Sequence, residues 1–263
     1  MNPVDYFRIP HLTRRVLKVW RRNGLVFLKT FKVNFLPPVL EPILYLLALG
    51  FGLGTFITEI NGISYAQFIA PALISISIMY SAFFETTYSS FVRMYFQKTF
   101  DAIIATPLTI EEVITGEILW GATRSTINAA IMLPILALFG VLAFPSSLLI
   151  IPFAFLGGFL FATIGMVFTA LTPHIDTLNL PTFLFITPMF LFSGTFFPIT
   201  LLPEVAQFIA YAILPLTNVV TIARALTLGV LSSSLLYNLV WILAVSALLF
   251  LISVNLMRRR LIV

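Results

Sequence analysis

No cysteine occurs in the 263 residues, and only two histidines, His11 and His174. The first absence excludes disulfides, thiolate nucleophiles and cysteine-bound metal. The second leaves no H-E-x-x-H or comparable ligand spacing. His174 stands beside Asp176 in a Thr172-Pro173-His174-Ile175-Asp176 stretch, where turn chemistry accounts for both. None of Lys18, Lys29, Lys32 and Lys98 is preceded by glycine. A P-loop needs that Gly-Lys pair to cradle phosphates, so the chain does not bind ATP in that manner. Charge is scarce as well, 10% of residues against roughly 25% in soluble domains. Apolar residues make up 60%, and the mean hydropathy is +1.06. This is the composition of a polytopic membrane protein. No stretch is polar enough for a separate soluble unit, so one domain over residues 1–263 is expected.

The net charge of +5 is not distributed for nucleic-acid binding, and no nucleic acid is expected as a partner. Eight of the fifteen basic residues precede residue 33, and three more are Arg258, Arg259 and Arg260. Within 5–32, Leu12, Val16 and Trp20 recur at i, i+4 and i+8 among Arg14, Arg15, Lys18, Arg21 and Arg22. That pattern predicts an amphipathic helix in the membrane interface, with Trp20 at headgroup level. A cleaved signal peptide is the rival. The apolar run starts too late and is too long, and no A-x-A site follows.

Six spans are predicted, at about 35–57, 67–90, 114–139, 148–171, 178–192 and 235–257, the fifth short for a crossing. Pro37, Pro38 and Pro42 suit the opening turns of the first. Gly50 and Gly54, and Gly157, Gly158 and Gly165 in the fourth, offer close-packing positions. Asn61-Gly62 marks the turn after the first span. With six spans, the N-terminus, residues 91–112, the 172–177 turn and the C-terminus share one side, which holds thirteen of the fifteen basic residues. Arg224 is alone on the other side, and Arg124 falls within a span. The positive-inside rule then puts both termini in the cytosol. Residues 1–33 would be a cytosolic interfacial helix, 34–257 the spans and 258–263 a cytosolic tail.

Between spans five and six, Ser193-Gly194 breaks the fifth helix and Phe196-Phe197-Pro198 follows. Two apolar pieces then open at Pro203-Glu204 and at Pro215. Each is short of the roughly 20 residues a crossing needs. A seventh span would place the terminal arginines outside, so these pieces read as two re-entrant or interfacial half-helices. Such backbone is tolerated at membrane depth only when buried in protein or facing water, which implies a cavity or gate. The expected fold is an all-α polytopic membrane protein with six transmembrane helices, an interfacial helix before them and half-helices between spans five and six.

Residues 91–112, FVRMYFQKTFDAIIATPLTIEE, are the only long polar excursion in the middle of the chain. Thr99 is placed to N-cap a short helix over 100–105, with Asp101 in its first turn. Pro107 forbids continuation. Thr109 to Glu112 then forms a capping box opening the third span. The stretch reads either as a solvated connector or as a docking element for a soluble partner. Four ionisable residues lie in or near spans: Glu41, Glu85, Glu117 and Arg124. Groups there are expensive and default to functional candidates. Glu117 and Arg124, seven apart, share a helix face, and Glu85 can approach them at similar depth. A structural ion pair of Arg124 with Glu117 or Glu85, a proton relay, and gating or substrate contact are the readings open.

The assembled pattern resembles the permease subunits of ABC-2 type (type-2 ATP-binding-cassette) exporters, and within them the nodulation J-type permeases, which export lipo-chitooligosaccharides. The carrying residues are Leu40-Glu41-Pro42 with Leu49-Gly50-Phe51-Gly52-Leu53-Gly54, then Phe84-Glu85-Thr86-Thr87-Tyr88 with Phe91-Val92-Arg93-Met94. Gly116-Glu117 and Trp120-Gly121-Ala122-Thr123-Arg124 continue it. Pro188-Met189-Phe190-Leu191-Phe192-Ser193-Gly194-Thr195-Phe196-Phe197-Pro198 completes it, with Leu202-Pro203 and Pro215-Leu216 behind. Drug-exporting relatives share much of this layout. The resemblance implies a bacterial inner-membrane half-transporter that forms a homodimer and pairs with separate ABC ATPase subunits. ATP and Mg would be bound by that partner, with no cofactor in this chain. It implies no catalysis by this chain, and an amphiphilic substrate such as a lipo-oligosaccharide or glycolipid. The 91–112 stretch would be a coupling helix in the ATPase cleft, with Lys98, Phe100, Asp101, Ile103, Ile104 and Pro107 at the contact and Phe100, Ile103 and Ile104 as its apolar anchors. The N-terminal helix would contact the same partner. Ser193, Gly194, Phe196, Phe197 and Pro198 would form the outer gate. Two other classes stay open. A proton-coupled secondary transporter would use Glu41, Glu85 or Glu117 as carriers, and a membrane-embedded enzyme would need a nucleophile or metal set that the sequence does not offer.

Overall fold

Apolar runs bounded by proline, glycine and capping residues fold into six helices long enough to cross a bilayer. They are Asn34–Thr55, Tyr65–Phe96, Ile110–Leu138, Ser146–Leu171, Ile175–Phe192 and Leu235–Leu261, here spans one to six. At 1.5 Å per residue the shortest rises about 27 Å, close to the hydrocarbon thickness. The computed structural model describes residues 9–57, 59, 60 and 62–261. Residues 5–8 of the amphipathic segment, Asn61 of the Asn61-Gly62 turn and the last two residues of the tail lie outside the described residues. The fold is that of an all-α polytopic membrane protein, as expected.

Span ends follow local chemistry. Ser64 and Gln67 form a capping box at the start of span two, with bonds of 3.3 and 3.1 Å. A two-residue hairpin, Glu59–Ile60 against Ile63–Ser64, leads into it. Thr109 and Glu112 cap span three in the same reciprocal way, as the sequence predicts. Span two, however, does not stop at Ser90. It continues to Phe96 through two π-helical segments, Glu85–Ser89 and Val92–Phe96. The polarity of Arg93 does not end the helix, because its charge is met inside the bundle. The short helix is Thr99–Ile104, and Thr99 is its first residue, not its cap. Lys98 takes the cap position in the left-handed region, φ +52°.

Spans two, three and four form the centre, and span two is the most enclosed; spans one, five and six present most of their surface outward. Glycine sets the closest approaches. A Cβ at Gly165 would lie 2.9 Å from the Phe83 carbonyl oxygen, and one at Gly158 2.7 Å from Ser125 Cβ. Both packing assignments hold, whereas Gly54 faces open space. The interface helix, Val16–Lys29, buries Val16, Val19, Asn23 and Phe27. This stripe differs from the expected Leu12, Val16, Trp20 face. Leu12 precedes the helix, and Trp20 donates to Thr123 Oγ1 at 2.8 Å. Gly116 decides the docking, since a Cβ there would come within 2.6 Å of Val19 Cβ. The half-helices Glu204–Ile213 and Pro215–Leu228 meet at 90°.

Candidate functional site

Where the interface helix crosses spans two and three, a buried charge network joins four elements. Arg93 on span two sits between two carboxylates. Its Nη1 is 2.9 Å from Glu85 Oε1, and its Nη2 is 2.5 Å from Glu117 Oε2 on span three. Both glutamates are buried. Glu117 also accepts from Asn23 Nδ2 at 2.7 Å and from Ser90 Oγ at 2.8 Å. The other oxygen of Glu85 pairs with Arg124 Nη1, whose Nη2 donates to Asn34 Oδ1 of span one at 2.9 Å. Two arginines and two carboxylates cancel, and further hydrogen bonds occupy the carboxylate lone pairs, which is what a buried ion cluster needs to persist. π-helical segments of this kind are frequent at functional sites, and here they carry Glu85 and Arg93.

The network opens on a cavity of about 430 Å³, lined by Arg22, Asn34, Tyr88, Gln97 and Trp120 besides the charged groups. Arg22 reaches Thr99 Oγ1 of the short helix at 3.5 Å and Asn23 Oδ1 at 3.0 Å. Burial lowers its pKa; the Glu117 carboxylate opposes that shift and Arg93 adds to it. Toward the termini the same elements are tied again. Arg15 Nη1 donates to the Pro107 carbonyl at 2.5 Å, Thr13 Oγ1 donates to Glu112, and Arg258 at the end of span six meets Glu111 at 3.2 Å. The interface helix, the short helix and the start of span three are thus one connected body.

The structure selects between the two partners expected for Arg124. Arg124 meets Glu85 but not Glu117, which belongs to Arg93. Polarity places Arg93 in the 91–112 loop and hides its pairing; 85, 89 and 93 as one helical face is the signal that reveals it. Phe100 is also corrected. It is fully buried in the protein's own core, with Ile103 and Ile104 packed at its margin. A helix of a turn and a half has one apolar face, and folding consumes it. Lys98, Asp101, Ala102, Ala105 and Pro107 remain exposed, with Lys98 Nζ 3.9 Å from Asp101 Oδ2.

At the opposite end, Ser193 and Gly194 break span five as expected. Gly194 has φ +71°, and a Cβ there would lie 2.6 Å from Ile199 Cγ1. Its carbonyl accepts from Arg224 Nη2 at 2.8 Å, and the Phe196 carbonyl accepts from Tyr65 OH at 3.3 Å. Phe196 also packs edge-on against Phe190, centroids 4.9 Å apart. Phe197 and Pro198 are half-buried beside the break.

Six crossing helices, with half-helices at one end and a tethered surface helix at the other, define a polytopic membrane protein. The chain belongs to the ABC-2 type transporter family, which its residues 14–228 match. It is 33% identical over 245 residues to Nodulation protein J of Sinorhizobium fredii, covering 93% of each chain. To Nodulation protein J of Rhizobium leguminosarum bv. viciae it is 36% identical over 245 residues, 93% of this chain and 94% of the relative. Inner membrane transport permease YadH of Escherichia coli is 28% identical over 199 residues, 75% of this chain and 77% of that one. The resemblance noted from the residues is therefore borne out at family level.

Proposed function

We propose that the chain is the membrane half of an ATP-driven exporter. It sits in the bacterial inner membrane with cytosolic termini, works as a homodimer, and moves an amphiphilic, saccharide-bearing substrate outward. Family membership, the Nodulation protein J relatives and the inner-membrane permease name of YadH support this reading. So does the sequence, which lacks the Gly-Lys pair of a P-loop and thus leaves ATP and Mg to a partner subunit. The observation that carries the mechanism is the continuous chain of contacts from Thr99 through Arg22, Asn23, Glu117, Arg93 and Glu85 to Arg124 and Asn34. A partner that pushes on the exposed side of Thr99–Ile104 moves the interface helix and spans one to three together. Packed, ion-paired junctions of this kind convert small displacements into larger ones. The break at Ser193-Gly194 serves as the outer gate.

A proton-coupled reading would have to run on Glu41. Glu85 and Glu117 are each committed to ion pairs with arginine. The test is co-reconstitution with the cognate ATPase in vesicles. Export reading predicts ATP hydrolysis stimulated by a lipo-oligosaccharide and abolished by loss of the partner. Transport that follows an imposed pH gradient without ATP, and is lost in Glu41→Gln, would replace it.

A further inference from the structure

Arg224, on the half-helix Pro215–Leu228, is treated differently from the other interior arginines. Arg93 and Arg124 each meet carboxylates, whereas Arg224 forms no ion pair among the described residues. Its hydrogen bonds there run from Nη2 to two backbone carbonyls, Gly194 at 2.8 Å and Phe68 at 3.4 Å. Its Nε is buried without an acceptor. Its guanidinium carbon lies 4.0 Å from the Phe68 ring centroid. Carbonyl dipoles and a ring face favour a cation but do not neutralise it. Arg224 as a whole is half-buried, and a charge in such a place is normally paired or bound to a counter-ion, so the unfilled role here is that of an anion.

The place for one is present. Arg224 lines a cavity of about 470 Å³ beside the Ser193-Gly194 break. Tyr211, Thr221 and Ser232 share its wall with Ile60, Leu228 and Leu235, and among the described residues no Asp or Glu does. The Thr221 hydroxyl donates to the Thr217 carbonyl at 2.8 Å, and the Ser232 and Ser234 hydroxyls bond each other. Ser232 and Val230 at the mouth are exposed. The space far exceeds a bare anion. A planar guanidinium supplies a matched fork for phosphate oxygens, the Tyr211 phenol stands on the same wall, and the apolar side suits the start of an acyl chain.

We propose that this cavity binds a phosphate ester group, with Arg224 as the partner of the phosphate and the Ile60, Leu228 and Leu235 side taking the apolar part of a lipid from the adjoining leaflet. A phosphodiester headgroup and free phosphate share the recognising chemistry, and separate arms distinguish them. The purified, delipidated full chain is loaded with phosphatidylglycerol, with diacylglycerol, or with inorganic phosphate, and retained ligand is read by native mass spectrometry. Phosphatidylglycerol should stay bound and diacylglycerol should not. Arg224→Gln, which keeps a donor for the Gly194 carbonyl, should weaken retention about tenfold or more, as losing a charge-assisted bond would. Leu228→Trp fills the cavity without removing the charge and should weaken retention similarly; it decides the matter where Arg224→Gln fails to fold. Displacement of the lipid by inorganic phosphate makes the free anion a competent occupant of the same phosphate site, and persistence of the lipid assigns the headgroup. Equal retention of phosphatidylglycerol and diacylglycerol, or unchanged retention in both folded variants, overturns the proposal.

Discussion

Arg93 faces two carboxylates and Arg124 faces one, and this asymmetry ranks their substitutions. Arg93→Ala strips Glu117 of its cation and leaves it buried with neutral donors only. Removing one partner of a buried pair typically costs about 3–5 kcal/mol. Arg124→Ala leaves Glu85 still paired with Arg93, so its loss is smaller. Thermal unfolding and folded yield in detergent should therefore fall further for Arg93→Ala than for Arg124→Ala, and the opposite order would contradict the network described. Gly194 sets a second expectation at this scale. A side chain at φ +71° is strained, by roughly 1–2 kcal/mol for the left-handed backbone alone, and it would also drive into Ile199. Gly194→Leu should block export while leaving pull-down of the ATPase intact; export at the wild-type rate by that variant would remove the break from the gate.

Among the elements, the short helix carries the sharpest test, because its inner and outer faces separate folding from docking. Phe100→Ala empties a fully buried site and should cost about 3–5 kcal/mol, as aromatic truncations in cores do. Its first effect is on stability. Ala102→Arg alters only the exposed face, so it should leave the melting temperature unchanged and abolish stimulation of the ATPase. Stimulation retained by Ala102→Arg with normal pull-down would make the helix a solvated connector. Much of the element layout was legible. Hydropathy placed the six spans, proline and glycine placed the half-helices, and Thr109-x-x-Glu112 placed the start of span three. What failed has one physical cause. Polarity predicts a helix end at Ser90, but Arg93 is compensated by Glu85 and Glu117, which lie eight residues before it and on another helix. The Glu85 spacing signals a partner only once the segment is read as helix, and the pairing with Glu117, across helices, leaves no local signature. The same holds for Phe100, whose apolar face could meet a partner or its own core, and for Val19, whose docking depends on a glycine about a hundred residues away.

For the whole molecule, orientation and assembly can be tested with the chain's own composition. It contains no cysteine, so a single introduced thiol reports without background. Most of the fifteen basic residues cluster near the termini and the 91–112 stretch, and the positive-inside rule predicts that side to be cytosolic. Ser232→Cys should then react with a membrane-impermeant maleimide in intact spheroplasts, and Ala102→Cys only after permeabilisation. The same approach addresses the homodimer. Leu36, Leu40 and Leu44 recur at four-residue spacing on span one and are all exposed, so they form one outward stripe facing lipid or a second copy. In lipid, two such stripes gain nothing from hydrophobicity alone and associate through close packing. Dimer contact therefore predicts efficient, position-specific cross-linking. Leu40→Cys, near Glu41 and the proline-rich opening of the span, should give disulfide-linked dimers in native membranes under mild oxidation. Leu243→Cys, on the outward surface of span six, should not. Monomer at both positions would exclude span one from the interface, and equal cross-linking at both would reduce the result to random collision.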